Sequence, residues 1–355
     1  MNQLREENDM KKFISLLLVL CLVFCFAACG GSGGGTEPEP TEEDTPVTLV
    51  VGNVASDTGL YTLALNKAQE WLTEHESTVS LDMQINSILG SEPEQVQNTS
   101  AGIQDMCECA DMSYTGLLPS LAFSNFPGLF SDYDGMREAW KQGGWCYEIA
   151  DEALASVNLK LLGAGDNGFR IITNSKRPVE KIEDIKGLKI RVPENKLLLE
   201  IWDKLGAVAA PIAFSELATA LQQGTVDGQE LNASNFYTFR WDEFNQYMTL
   251  TNYDYSACLT CINMDKFNSL SEKQQQDLLD AFAYAADWHI NYTEEYTEEG
   301  LKVMEADGLQ VLEATEEMKD YFYELGYEIA HEDEWMELLG EDMVNKMYPT
   351  ETRQK

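Results

Sequence analysis

Strand-like and helix-like segments alternate in the first part of this chain, and this order constrains the fold more than any other feature. Strands are predicted over residues 47–56, 79–86 and 105–113, and helices over residues 59–75 and from Ser91 onward. Such alternation is typical of an α/β domain with a largely parallel sheet. Ligands lie beyond the carboxyl ends of the strands in such sheets, so Asn53, Ser113 and Tyr114 are candidate binding residues.

A second strand and helix unit begins near Gly168, and at 355 residues the chain is long enough for two domains. Residues 186–195 predict a strand that ends at Pro193, and helices are predicted over residues 196–207 and 213–230. The period of two in the strand puts Arg191 on the face opposite Ile190.

Residues 271–308 contain no proline and repeat apolar side chains at helical intervals. A single helix of about 35 residues would span roughly 50 Å, which exceeds the diameter of one small domain. Two alternatives are open: two helices that break at Gly300, or one helix that crosses both domains.

The stretch "GAGDNG" places Gly163, Gly165 and Gly168 at the spacing of a dinucleotide-binding turn. That turn requires a helix after the last glycine, so that the helix N-terminus faces the pyrophosphate. Residues 169–173 are instead alternating and β-branched, which predicts a second strand. A nicotinamide or flavin oxidoreductase is therefore an unfavoured alternative, and no cofactor is expected.

The N-terminus has the pattern of a secretory signal over residues 1–29, with a short apolar core. "FAAC" ends this segment at Cys29, and residues 30–46 form an acidic, Pro- and Gly-rich tether. This arrangement resembles a bacterial lipoprotein signal in which Cys29 is lipidated, and an ordinary secreted protein is the alternative. We expect an extracytoplasmic, lipid-anchored protein.

The net charge of −37 excludes a nucleic-acid partner and attraction to anionic lipid. The five cysteines after Cys29 are odd in number and irregularly spaced, which does not indicate a disulfide framework. Cys258 and Cys261 lie three positions apart on a predicted strand, so their side chains point to opposite faces. With only three scattered histidines, we expect neither a metal site nor catalytic residues.

Basic residues are concentrated in one window. Ten of the 24 lysines and arginines lie between Lys160 and Lys204, together with seven acidic residues. A solvated strand face would account for this charge. However, the planar guanidinium of arginine matches a carboxylate bidentately, and both Arg170 and Arg191 occupy positions that suit a ligand cleft.

Several motifs, taken in their order along the chain, resemble those of the extracytoplasmic solute receptors of tripartite ATP-independent periplasmic (TRAP) transporters. The likeness is to the dicarboxylate-receptor type, in lipoprotein form. The motifs are "GFR" at 168–170, "RPV" at 177–179, "KIRVP" at 189–193, "FSEL" at 214–217 and "VDGQE" at 226–230. The likeness extends from about Val47 to Asp280 and is weakest in the acidic C-terminal part.

The resemblance implies a two-lobed α/β fold, similar to periplasmic binding proteins, with a long helix that crosses both lobes. It implies lobe I over residues 47–166 plus about 253–295, and lobe II over 167–252 plus about 296–348. The implied function is to bind a small organic acid in the cleft and deliver it to a TRAP membrane permease, without catalysis. A ligand-sensing subunit for a membrane signalling protein is the alternative.

The resemblance also assigns site residues. Arg191 would form the salt bridge to the ligand carboxylate, Arg170 would assist it, and Phe214 would stack on the ligand. Supporting contacts would come from Asn53, Ser113, Tyr114 and Tyr253. The family usually has Asn after "VDGQE", where this chain has Leu231; the pocket would then accept a less hydroxylated acid unless Asn232 or Asn235 substitutes.

Overall fold

Two β-sheets share one long strand in the computed structural model, which describes residues 45–349. The strands are β1 Val47–Gly52, β2 Val79–Gln84, β3 Met106–Ala110, β4 Leu159–Asn174, β5 Lys189–Val192, β6 Val208–Pro211, β7 Gly228–Asn232, β8 Tyr247–Leu250, β9 Tyr255–Asn263 and β10 Gln310–Glu313. The first sheet has the order β2-β1-β3-β9-β4, and the second has the order β4-β7-β5-β6, with β8 and β10 beyond β4.

Helices cover both sheets. They are α1 Leu60–Glu74, α2 Glu92–Ser100, α3 Tyr133–Trp140, α4 Trp145–Ala155, α5 Lys196–Lys204, α6 Phe214–Gln222, α7 Ala233–Thr238, α8 Met264–Asn268, α9 Glu272–Ala306, α10 Glu316–Ala330, α11 Asp333–Leu339 and α12 Glu341–Met347. Strands β1, β2 and β3 are parallel, as the alternating sequence predicts, whereas β9 runs antiparallel to both β3 and β4.

Strand β4 joins the two sheets. Its first half pairs with β9 in the first sheet, and residues 170–174 pair with β7 in the second. Residues 169–173 do not form a separate second strand after the glycines, as the sequence predicts: the glycines lie within one strand that contains two register shifts, at Leu161/Gly163 and Asp166/Gly168. Gly168 has a φ of +99°, which a residue with a side chain rarely adopts, and the chain passes between the sheets there.

Helix α9 is one continuous helix of 35 residues that packs on α1 and β4 and reaches α7 at the second sheet. Ser271 begins it: its Oγ accepts a hydrogen bond from the Gln274 amide, which completes a capping box. Gly300 does not break the helix. A Cβ at this position would lie 2.5 Å from the ring of Tyr237, so a glycine is required by close packing.

One predicted element is too long. Residues 213–230 do not form a single helix, because α6 ends at Gln222 and residues 228–232 form the buried strand β7. Gly224 follows the helix with a φ of +65°, a conformation that stops helices.

The predicted signal peptide, tether and Cys29 lie outside the described residues, and the predicted lobe boundaries stay a prediction. Within residues 45–349, no helix is both long and apolar enough to cross a membrane.

We predict that Gly300→Ala destabilises the protein by about 1–3 kcal/mol, because the new methyl group overlaps the Tyr237 ring. Helix propensity alone favours alanine by about 1 kcal/mol. A Tyr237→Ala background removes the ring and leaves only the Cβ at position 237, 3.0 Å from the new methyl group, so the same substitution should cost much less there or become neutral. Urea denaturation of the four proteins in this double-mutant cycle measures the effect, and an equal cost in both backgrounds would contradict it.

Candidate functional site

A cavity of about 880 Å³, which includes its opening to solvent, lies between the two sheets. The first wall comes from the segments after β1 and β3 and from the start of α2. The second wall comes from β4, β5 and β7 and from the starts of α6 and α7. The lining residues include Ala55, Tyr61, Glu92, Met112 and Ser113 on the first wall, and Asn167, Arg170, Arg191, Phe214, Leu231, Asn232, Asn235 and Phe239 on the second.

The structure brings seven of the ten predicted ligand-binding residues into the cavity lining. These are Ser113, Arg170, Arg191, Phe214, Leu231, Asn232 and Asn235. The other three lie behind the wall and are buried: Asn53, Tyr114 and Tyr253.

Arg170 is paired with an acidic residue of its own sheet. Its Nε and Nη2 each donate to a carboxylate oxygen of Glu230, both at 2.6 Å, and both side chains are at most 3% exposed. Burial alone would lower the pKa of Arg170, but the charge and hydrogen bonds of Glu230 raise it above its ordinary value. Tyr253 Oη also donates to Glu230, at 2.8 Å. Arg170 therefore lies in the wall with its charge already neutralised.

Arg191 has no such partner. It is 3% exposed, and its Nε donates to the Ile212 carbonyl at 2.8 Å. Within residues 45–349, no acidic group lies within salt-bridge distance of it, and no atom accepts a hydrogen bond from Nη1 or Nη2. Burial lowers the pKa of Arg191 to about 10, which is still well above neutral pH. A buried, charged guanidinium therefore borders the cavity, and its terminal nitrogens can donate hydrogen bonds to an anion.

The register of three strands places these charged groups together. Arg170 of β4 pairs with Asn232 of β7, and Arg191 of β5 pairs with Gln229 of β7. Glu230 lies between the two paired positions on β7, so it is near both arginines. Its charge also counters the effect of burial on Arg191.

Glu92 approaches the cavity from the first wall. Its Oε2 accepts a hydrogen bond from Ser113 Oγ at 2.6 Å, and its Oε1 accepts one from the Ala110 amide at 3.2 Å. Burial raises the pKa of Glu92, whereas these hydrogen bonds and the charge of Arg191 oppose the rise. The cavity thus has a cationic side and an acidic side.

Aromatic and amide groups complete the second wall. Phe214 packs edge-on against Phe239, with ring centroids 5.3 Å apart. Asn232 Nδ2 donates to the backbone and side-chain oxygens of Asn167, and Asn235 Nδ2 lies 3.5 Å from the same side chain. Amide groups therefore remain in the wall beside Leu231.

The three predicted residues outside the lining have other contacts. Asn53 Nδ2 donates to Glu108 at 3.1 Å, and Tyr114 Oη donates to the Leu259 carbonyl at 3.0 Å. Tyr253 stacks on Phe322 and holds Glu230. These residues support the walls from behind.

Sequence reasoning missed Glu92, Tyr61, Asn167 and Glu230. Glu92 follows the predicted helix cap Ser91, at the start of the helix after strand β2, and that position was the only available signal. Glu230 belongs to the quoted "VDGQE" motif, but its pairing with Arg170 depends on strand register.

The glycine stretch does not form a dinucleotide-binding turn. Strand β4 continues through Gly168 to Asn174, so a strand stands where the turn requires a helix N-terminus. This finding argues against the oxidoreductase alternative.

Comparisons with known proteins agree with this architecture. A solute-binding protein of Verminephrobacter eiseniae is 33% identical over 231 residues, which are 64% of this chain and 68% of that protein. The 2,3-diketo-L-gulonate-binding periplasmic protein YiaO of Escherichia coli is 28% identical over 265 residues, 74% of this chain and 79% of its own length.

A solved structure has the same fold. The sugar acid binding protein DctPAm of Advenella mimigardefordensis, in complex with galactonate, superposes with a TM-score of 0.80 at 24% sequence identity. The superposition covers 86% of this chain and 97% of that one, which confirms the predicted two-lobed α/β fold.

The family model of the bacterial extracellular solute-binding proteins, family 7 (DctP), matches residues 51–333. That range includes both walls of the cavity and the whole of the long helix. The chain belongs to the family 7 bacterial extracellular solute-binding proteins.

Proposed function

We propose that this chain is an extracytoplasmic receptor that binds a small organic acid in the cavity between its sheets and delivers it to a TRAP-type permease. The unpaired guanidinium of Arg191 supports this proposal most directly. A buried cation without a counter-ion is costly, and a ligand carboxylate would supply the missing charge and two acceptors for Nη1 and Nη2.

Arg170 has a secondary role in this proposal. Because Glu230 already neutralises it, Arg170 contributes a fixed dipole and a hydrogen-bond donor, and it keeps Glu230 from pairing with Arg191. Phe214 and Tyr61, on opposite walls, enclose the carbon chain of the ligand.

The acidic side of the cavity restricts the class of acid. A carboxylate on Arg191 places the far end of a short ligand toward Glu92, which offers acceptor oxygens to hydroxyl groups. A second carboxylate there would meet a like charge. We therefore infer a hydroxylated monocarboxylate, such as a sugar acid, rather than a C4-dicarboxylate; DctPAm, with the same fold, was solved with galactonate.

We expect Arg191→Met to lose at least about 100-fold in affinity for the acid, since it removes the charge pair and retains the length of the side chain. The unliganded variant should unfold at the same or a higher temperature than the wild type, because a buried unpaired cation is gone. Calorimetric titration and thermal unfolding check these two results.

The matched control is Lys189→Ala, which removes an exposed cation two positions earlier on the same strand and should bind normally. Arg191→Lys should retain weak binding, because an ammonium group cannot bind bidentately. Near-native affinity in the Arg191→Met protein would exclude Arg191 as the carboxylate ligand.

Glu92→Gln should change selectivity more than affinity. The amide retains the shape and one acceptor but removes the negative charge, so binding of succinate should strengthen by about tenfold or more, equivalent to about 1.4 kcal/mol. Affinity for galactonate should change by less than this. Glu216→Gln, an exposed carboxylate on α6, removes the same charge outside the cavity lining and serves as the control. A wild-type protein that prefers succinate to every sugar acid would contradict the inferred class.

We also propose that Cys29 carries a lipid anchor and that the tether over residues 30–46 connects it to the folded part. The small residues before Cys29 and the flexible composition after it support this proposal.

Cys29→Ser, expressed as the full chain in a bacterial host, should move the protein from the membrane fraction to the soluble extracytoplasmic fraction. Detergent phase partition and mass spectrometry of the N-terminus measure the change. Cys25→Ser is the matched control and should leave the protein at the membrane, whereas a soluble wild-type protein would favour ordinary secretion.

A further inference from the structure

A second, smaller cavity of about 230 Å³ lies between the first sheet and the long helix, apart from the proposed ligand site. Its lining includes Glu108 from β3, Cys258 from β9 and His289 from α9. One potential ligand atom from each of these side chains lies within 4.8 Å of those of the other two. Three metal-ligating groups of different chemistry therefore converge in the interior.

Strand pairing explains why two of them share a face. Glu108 is opposite Thr260, and Cys258 is two positions from Thr260 on the same strand, so both side chains point to the same side of the sheet. Cys261 points to the other side and belongs to a different hydrophobic cluster from Cys258.

The glycine stretch lets the third group reach the sheet. Gly165 is opposite Cys258 on the neighbouring strand, and a Cβ on Gly165 would lie 2.4 Å from Nδ1 of His289. A Cβ on Gly163 would lie 2.8 Å from the Phe282 carbonyl oxygen of the same helix. The missing side chains thus allow α9 to bring its imidazole next to the sulfur and the carboxylate.

Residues 45–349 do not supply hydrogen-bond partners for all the polar atoms of these three side chains. His289 is 1% exposed, and its Nε2 has no hydrogen-bond partner among the residues that the structure describes. Glu108 is equally buried and receives one hydrogen bond there, from Asn53 Nδ2. Buried polar groups without partners are costly, and a bound cation would satisfy them together.

We propose that Glu108, Cys258 and His289 bind a zinc ion that fastens helix α9 to the first sheet. One sulfur, one imidazole nitrogen and one carboxylate oxygen form a donor set that suits zinc, which binds three protein ligands and leaves a fourth position for water or another group. Asn53 would orient Glu108 from behind, as hydrogen-bonded partners of metal ligands commonly do.

One other contact fits this role. The ring of Tyr61 meets the His289 ring edge-on at 6.1 Å, and Tyr61 also lines the larger cavity. The zinc ion would therefore stabilise one wall of the proposed ligand site without contacting the ligand.

Cobalt(II) substitution tests the proposal on the full chain, purified without an affinity tag and stripped with a chelator. Exposed carboxylates of this acidic chain will bind metal adventitiously, but only a cysteine ligand gives the thiolate-to-cobalt charge-transfer band in the near ultraviolet. We expect that band in the wild type, and we expect one equivalent of zinc per chain to abolish it.

Cys258→Ser should lose the band, whereas the matched control Cys261→Ser, on the same strand and equally buried, should retain it. His289→Gln retains the Cys258 thiol but should bind zinc at least about tenfold more weakly. Loss of a group that only hydrogen-bonds to a metal ligand already lowers metal affinity by that factor. Zinc should raise the unfolding temperature of the wild type but not that of Cys258→Ser. Circular dichroism establishes that each variant is folded.

A folded wild-type protein that shows no thiolate band at any cobalt concentration would overturn the proposal, and the three side chains would then form a purely internal polar cluster. A band that persists in Cys258→Ser would also overturn it, because the metal would then be held by another cysteine.

Discussion

The proposed site depends on one unbalanced charge. Two arginines, one on β4 and one on β5, project into the same interior region, and an acidic residue of the intervening strand β7, Glu230, lies between them. Glu230 pairs bidentately with Arg170, which leaves Arg191 charged, buried and without a counter-ion within the described chain. Desolvation of this cation destabilises the unliganded fold, and pairing with an anionic ligand offsets that destabilisation. The affinity and selectivity for an acid therefore come from relief of a destabilisation, the unpaired charge of Arg191, that is already present in the unliganded protein.

The rest of the architecture serves to hold that arrangement. Arg191 is the third residue of a four-residue strand, and Tyr253 fixes Glu230 with a hydrogen bond at 2.8 Å. Strand β4 belongs to both sheets, and α9 packs along it and reaches α1 and α7 on either side. The two walls of the cavity are thus connected by continuous elements as well as by loops. The acidic wall, with Glu92, faces the cationic wall at a position that these connections determine.

Local sequence patterns predicted the elements whose side chains alternate or repeat clearly, including β1, β2, β5 and the long helix. They failed where a local pattern was ambiguous: all five residues of β7 are buried, so no alternation distinguishes them from the end of helix α6. The continuity of α9 at Gly300 was open, because the reason for that glycine is Tyr237, which is 63 positions away along the chain. Glu92 and the pairing of Glu230 were missed for the same reason, since both depend on contacts between distant segments.

The three glycines that imitate a dinucleotide motif illustrate this point further, because each has a separate steric cause. Gly163 makes room for the Phe282 carbonyl group, Gly165 makes room for the His289 ring, and Gly168 supplies the positive φ at which β4 leaves the first sheet. The first two lie on one face of a strand beneath a helix, which by itself imposes a spacing of two. The third lies where the register shifts and the cavity begins, two positions before Arg170. A spacing that normally indicates a phosphate site here results from the close packing of a long helix on a shared strand, and the same packing brings His289 to Cys258 and Glu108.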